Sequence, residues 1–409
     1  LLSLVAMHAQ AQLGTREPTH IIKFKGQANL NQASAAQYFT TQFKEFVAGA
    51  VMEDHIVSSS FDTASLSMID LSKEFHAVSG VFHERFAQYL GQRNDIEYVE
   101  HNQVYKAVRA LPQVQHPELE KRSVEHYQTP SWGLARVFHR DNTELKEYEA
   151  DNSNGEGVTV YVLDSGIHAN HEDFEGRASS AANFVSNEDD DDYAGHGTHV
   201  AGTIAGKTFG VAKKATIKSV KILDKHGDGT TAGLLKALAY VASNATPGKS
   251  VINLSLSGPK SQLVEDAIKE TAKNHNVPMF VSAGNTGDDA CKYLPAASKH
   301  VFTVGATDEM DIIAYYSSIG ECVRMYAPGS GIISAWMGDN SATMKLDGTS
   351  MANPHVAGIA ASLLSKEKYS DIEQLYADLE SKATKDILKM SAGFSSNELP
   401  FKNVMAYAG

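Results

Sequence analysis

Val158-Thr159-Val160-Tyr161-Val162-Leu163-Asp164-Ser165-Gly166 decides the architecture of this chain. Six apolar or β-branched residues run without alternation and stop at an acid followed by a Ser-Gly turn. An uninterrupted run of that length suits a strand buried on both faces, as parallel strands are. Asp164 then falls at the strand's carboxyl end, where open α/β sheets place their sites. Downstream the same rhythm repeats. Strands are predicted over 217–223, 251–256, 279–282 and 301–304, and helices over 231–245 and 261–274. Strand–helix alternation of this kind predicts a mostly parallel sheet with helices on both faces.

Three further stretches in this half carry chemistry. Gly195-His196-Gly197-Thr198-His199-Val200-Ala201-Gly202-Thr203 flanks a histidine with glycines and opens a helix. Ser282-Ala283-Gly284-Asn285 ends a strand on an amide that can aim into the same crevice. Gly348-Thr349-Ser350-Met351-Ala352-Asn353-Pro354-His355-Val356-Ala357-Gly358 delivers Ser350 to a helix N-terminus, where free N–H groups and the helix dipole favour developing negative charge. Taken singly, Ser350 reads equally as a helix cap, Asp164 as structural and Asn285 as a turn residue. The His196/His199 pair lacks the Glu of a His-Glu-x-x-His site, so no metal is expected there. The acidic run at 188–192 reads as a solvated loop, with cation binding or substrate steering as the alternatives.

The order Asp164…His196…Ser350, each beside glycine, resembles the subtilisin-like serine proteases. Trp132-Gly133-Leu134-Ala135-Arg136 and Asn403-Val404-Met405-Ala406-Tyr407 resemble the proteinase K and cerevisin branch. The resemblance implies that Ser350 is the nucleophile, His196 the general base and Asp164 the group that orients it. The Asn285 amide and the Ser350 N–H would form the oxyanion hole. Gly227-Asp228-Gly229 and Ser255-Leu256-Ser257-Gly258 would flank the substrate backbone, and Ala283-Gly284 would line a roomy apolar pocket, hence broad specificity. It also implies a Cys291–Cys322 disulfide. No cofactor is expected for the chemistry. Arg324 stands where many relatives carry an Asp that can bind calcium, which argues against that cation site.

Residues 20–105 read as a small α+β domain of order β-α-β-β-α-β, with strands at 20–25, 54–59, 75–81 and 96–99 and helices at 31–48 and 83–90. By resemblance this ferredoxin-like unit is an inhibitor-type propeptide that templates folding and then caps the cleft. Residues 106–130 lose periodicity and contain Lys121-Arg122, so they read as a processing linker, with the cut expected between Tyr105 and Glu125. The peptidase domain then spans 131–409.

Leu1-Leu2-Ser3-Leu4-Val5-Ala6-Met7 resembles the apolar part of a secretory signal, and Ala9-Gln10-Ala11 a cleavage site, so 1–11 read as a signal remnant. Secretion is the expectation, a vacuolar compartment the alternative. Asn244-Ala245-Thr246 is a glycosylation sequon; Asn253-Leu254-Ser255 matches the pattern inside a predicted core strand and should stay bare. The net charge is −13, of which residues 126–409 contribute 25 basic minus 35 acidic, or −10. That balance disfavours nucleic acid as a partner. Protein substrates and the chain's own propeptide are the expected partners of a monomer without a membrane anchor. A catalytically inactive relative that binds through the same cleft is the alternative, but all four catalytic positions are filled. A serine esterase of another fold is disfavoured by the missing Gly-x-Ser-x-Gly elbow and the residue order.

Overall fold

The computed structural model describes residues 17–26, 30–49, 61–108, 131–145, 147–150, 154–391 and 400–409. The signal-like stretch, the predicted strand at 54–59 and the Lys121-Arg122 pair lie outside them. The chain divides into two compact units, the boundary falling between Asn102 and Gln103.

In the first unit the helices Gln32–Gly49 and Glu84–Gly91 accompany an antiparallel sheet. Its strand order is Phe61–Ser72, Phe75–Phe82, His20–Phe24, Ile96–His101. The second strand of the chain is Phe61–Ser72. Phe39 and Phe86 are fully buried against Ile22, Val78, Phe82 and Ile96, with Phe43 and Phe46 partly buried beside them. Fully burying each such aromatic ring stabilises by roughly 1.5–3 kcal/mol, so this cluster is what holds a unit of this size together.

The second unit is built on parallel pairings. Its central strands lie in the order Ala178–Asn183, Thr216–Lys221, Thr159–Asp164, Ser250–Leu254, Met279–Ser282, Phe302–Thr307, Val323–Pro328. The chain starts this sheet at Thr159–Asp164 and adds strands on one side, then on the other. The reversal beside Thr159–Asp164 opens a crevice at the carboxyl ends, and Asp164 stands at its edge. Short strands Val404–Met405 and Thr384–Lys385 extend the far side. Among the described residues no helix is long and apolar enough to cross a membrane.

Several local outcomes differ from expectation, among them the strands Ala178–Asn183 and Val323–Pro328, which were not predicted. The helix predicted over 261–274 is α-helical only over Gln262–Lys269; Glu270–Asn274 widens into a π-turn. The C-terminal helix Ile372–Lys382, capped by the Asp371 side chain on the Gln374 N–H (2.9 Å), has a weaker apolar pattern and was not anticipated. Arg324 is committed elsewhere than a cation site. It donates to Glu380 (2.9 Å) and lies over the rings of Phe302 and Tyr376.

The Cys291–Cys322 disulfide is formed across 31 residues of sequence. On the chain-entropy account, closing such a loop stabilises by about 3–4 kcal/mol. The double variant Cys291→Ser/Cys322→Ser should lose that much, read as a lower urea midpoint with a slope at least as steep, since the unfolded chain is then less constrained.

Candidate active site

The site is assembled from element ends. Asp164 closes the central strand and is fully buried. His196 is the first residue of the helix His196–Ala205. Its Nδ1 lies 2.7 Å from Asp164 Oδ1, and the Ser165 N–H donates to the same oxygen (2.8 Å). Glycines on both sides of His196 are obligatory for close approach. A Cβ at Gly195 would meet the Trp336 ring at 2.4 Å, and one at Gly197 would meet the Gly166 carbonyl at 2.1 Å. Burial works against the imidazolium, but the charge and hydrogen bond of Asp164, with Asp192 behind, outweigh it and raise the His196 pKa above its usual 6.5. His196 Nε2 is buried with no hydrogen-bond partner among the described residues.

Ser350 is the second residue of the helix Thr349–Lys366 and is fully buried. It does not cap that helix. Its hydroxyl donates to the Val108 carbonyl (2.9 Å) and lies 3.5 Å from that of Ser255. Asn285 follows the strand Met279–Ser282. Its Oδ1 accepts from both the N–H and the hydroxyl of Thr349, each at 2.9 Å. Those two donors identify Oδ1 and therefore orient the amide nitrogen away from Thr349. The Thr349 hydroxyl in turn accepts from the Gly284 N–H (3.1 Å).

The residues expected to flank a substrate converge on one segment. Val104–Ala107 forms a strand between Asp228–Thr230 and Leu256–Ser257, antiparallel to both. Tyr105 pairs with Gly229, Lys106 with Asp228 and Ser257, and Ala107 with Leu256. The Ala107 N–H donates to Gly227 O (2.7 Å) and the Val108 N–H to Ser255 O (3.1 Å). Tyr105 is buried and donates from its hydroxyl to Pro259 O (2.9 Å). Its ring occupies the space a Cβ on Gly258 would need, 2.3 Å away. Periodicity missed this strand, because four residues are too short a run for its alternation of exposed and buried positions to stand out. Ala283 is buried, and Gly284 has φ +108 beside Ser318.

The acidic run is more than a solvated loop. Asp189, Asp190 and Asp191 are exposed, but Asp192 is buried. It accepts from Ser165 Oγ (2.8 Å), the Gly195 N–H (2.8 Å), the Thr198 N–H (2.8 Å) and the Thr198 hydroxyl (2.7 Å). It satisfies the orphan donors at the start of the His196 helix, which a negative charge suits. Glu188 pairs with the buried Lys221 ammonium (3.0 Å), which also donates to Ser165 O (2.6 Å) and Asp191 O (3.0 Å). Spacing alone could not separate Asp192 from its neighbours; only the Asx-type reach from Asp192 to Gly195 was available as a signal.

His199 is buried among backbone acceptors. Burial pushes its pKa down to about 3, and its Nε2 faces the carbonyls of Ile332 and Met344 at 3.1 Å each. Asn353 is buried and ties the serine helix to the sheet, donating to Asn253 Oδ1 (2.9 Å) and Phe280 O (3.1 Å). Asn253 is likewise fully buried, whereas Asn244 lies exposed at a helix end.

The Subtilase family profile, Peptidase_S8, matches residues 155–403. Subtilisin-like protease 1 of Pseudogymnoascus destructans is 39% identical over 352 residues, covering 83% of this chain and 86% of that protein. Subtilisin-like protease 2 of the same fungus is 45% identical over 247 residues, 60% of this chain and 61% of its own length. Subtilisin-like serine protease pepC of Aspergillus niger is 36% identical over 348 residues, 81% of this chain and 62% of that protein. A solved cold adapted subtilisin-like serine proteinase is similar with a TM-score of 0.62 and 39% identity, covering 68% of this chain and 98% of that one. This chain thus spans about three fifths of two of these fungal relatives. The chain belongs to the subtilase family.

If Asn285 serves as an oxyanion-hole donor, replacing it with alanine should lower kcat by about 10²–10³ with little change in KM, a magnitude borrowed from a subtilisin oxyanion-hole asparagine. Steady-state hydrolysis of a peptide anilide by the processed enzyme reads it. A rise in KM with kcat unchanged would assign Asn285 to ground-state binding instead.

Proposed function

We propose that the chain is a broad-specificity endopeptidase made as a zymogen, and that it cuts itself between Val108 and Arg109. The observation that carries this reading is the Val108 carbonyl oxygen 2.9 Å from Ser350 Oγ, at the end of a strand held like a substrate. Ser350 Oγ attacks the carbonyl carbon and gives its proton to His196 Nε2, which is buried and has no hydrogen-bond partner among the described residues. Asp164 holds the Nδ1–H tautomer and stabilises the imidazolium. The Asn285 amide and the Ser350 N–H receive the oxyanion. His196 then gives the proton to the leaving amine, and water hydrolyses the acyl-enzyme by the same relay. These side chains fill every role, so no metal or cofactor is proposed for the hydrolysis itself. Val108 is apolar, which fits the small apolar walls expected of Ala283 and Gly284.

Residues 20–105 would act as folding template and inhibitor, since the chain that follows them fills the cleft. A disulfide suits an oxidising compartment, which supports secretion or delivery to a vacuole, with Asn244 exposed for glycosylation. Peptides and the chain's own propeptide are the proposed partners, with the enzyme acting as a monomer.

Intact-mass analysis of purified protein treated with a fluorophosphonate probe tests the proposal. The expected product is a chain beginning at Arg109 that carries one probe. A folded, processed chain that takes no label would overturn it in favour of an inactive binding protein, and a start at Ser123 would assign maturation to another protease.

A further inference from the structure

Three side chains of the first unit converge without a role in the chemistry above. His20 and His101 sit directly opposite each other on antiparallel strands, so both project from one face. Glu84 begins the helix Glu84–Gly91 that follows the neighbouring strand. Glu84 Oε2 lies 3.3 Å from His20 Nε2 and 3.5 Å from His101 Nε2. The three ligand atoms are within 4.8 Å of one another. With metal–ligand bonds of the usual zinc length, the edge of a coordination tetrahedron is about 3.3–3.5 Å. The two contacts therefore match two edges of such a tetrahedron.

The surroundings aim these atoms at a common point. The Thr19 hydroxyl donates to Phe82 O (2.9 Å) and accepts from the Phe82 N–H (2.8 Å). It thus meets His20 Nδ1 (3.0 Å) as an acceptor, which keeps that nitrogen protonated and leaves the Nε2 lone pair facing Glu84. Gln88 Nε2 donates to Glu84 Oε1 (3.0 Å), leaving Oε2 for the histidines. Partners behind metal-binding histidines and carboxylates work in this way. A neutral imidazole lone pair against a carboxylate is repulsive, and a cation between them relieves it. His20 is buried, while His101 and Glu84 are exposed, so solvent can reach the site and water can complete the shell.

We propose that His20, Glu84 and His101 bind a divalent transition-metal ion of the zinc class. The ion would tie the first strand, the last strand and the second helix of this unit together. His101 immediately precedes Asn102, the last residue of the unit, so the ion would also anchor the point from which the chain leaves.

The test uses the full chain carrying Ser350→Ala, stripped with a chelator and titrated with zinc against a chromophoric competitor. One site tighter than about 1 µM is expected. His101→Ala and Glu84→Gln, both changes of exposed side chains, should each weaken it by more than about 100-fold, beyond what loss of a supporting partner costs. Cobalt should give the intense visible bands of a tetrahedral site in the parent and lose them in both variants. Zinc binding that survives both substitutions would place the ion among the other residues of a chain with 17 histidines and overturn the proposal. Absence of binding in the parent would do so too, leaving an ion pair of Glu84 with its histidines. Metal binding is read on an uncut chain, so neither result depends on whether Ser350 is a nucleophile.

Discussion

Ser350→Ala is expected to leave the chain at full length and to lower peptide hydrolysis by about 10⁶-fold, the magnitude a subtilisin shows on losing its serine. The hydroxyl oxygen lies 2.9 Å from the Val108 carbonyl oxygen, and alanine removes it without enlarging the side chain. The helix should persist, because Ser350 makes no cap bond within it and its backbone is unaffected. The mutant should therefore fold, retain the Val104–Ala107 strand in its cleft and take no fluorophosphonate label. Mass spectrometry of mutant beside wild type decides the point. A mutant cut after Val108 as rapidly as the wild type would mean that the bond is broken by another enzyme.

Asp164→Asn should cost about 10⁴ in kcat, the size found for the equivalent change in a serine protease of another fold. Asparagine can accept one hydrogen bond at His196 Nδ1, but its amide can also donate there and stabilise the wrong tautomer. It also removes the charge that holds the His196 pKa above 6.5. The sign follows from mechanism. Only the neutral imidazole can take the serine proton, so a raised pKa moves the acidic limb of kcat/KM to higher pH, and activity rises as pH passes that value. In the variant the limb should move to lower pH while the plateau falls. A pH–rate profile of both processed enzymes checks both parts. An unshifted limb would mean that a group other than His196 sets it.

Much of the architecture was legible from residues 158–166 and the apolar runs after them. A strand buried on both faces has few ways to be written, and Asp164 at its end announces where a site must lie. Motifs bounded by glycine were equally plain, because Gly195 and Gly197 are spaces that no side chain could occupy. The opposite holds for groups whose meaning depends on distant partners. Asp192 looked like any acid in a charged loop until Ser165, Gly195 and Thr198 closed around it. Thr349 was part of a motif without a role until its two donors met Asn285, 64 residues away. Val104–Ala107 straddles the expected end of the first domain and the start of the linker, and became a strand only because Asp228–Thr230 and Leu256–Ser257 supply both of its edges.

The sequence by itself determined the parallel α/β class and singled out the candidate catalytic residues and their order, since these rest on local patterning and on chemistry that few side chains perform. The tertiary structure decided which acid supports the catalytic helix, which way the Asn285 amide points, which of the chain's own residues lie at Ser350, and that His20, Glu84 and His101 meet. Each of those is a contact between residues far apart in the chain, and its energy exists only once the sheets have brought them together.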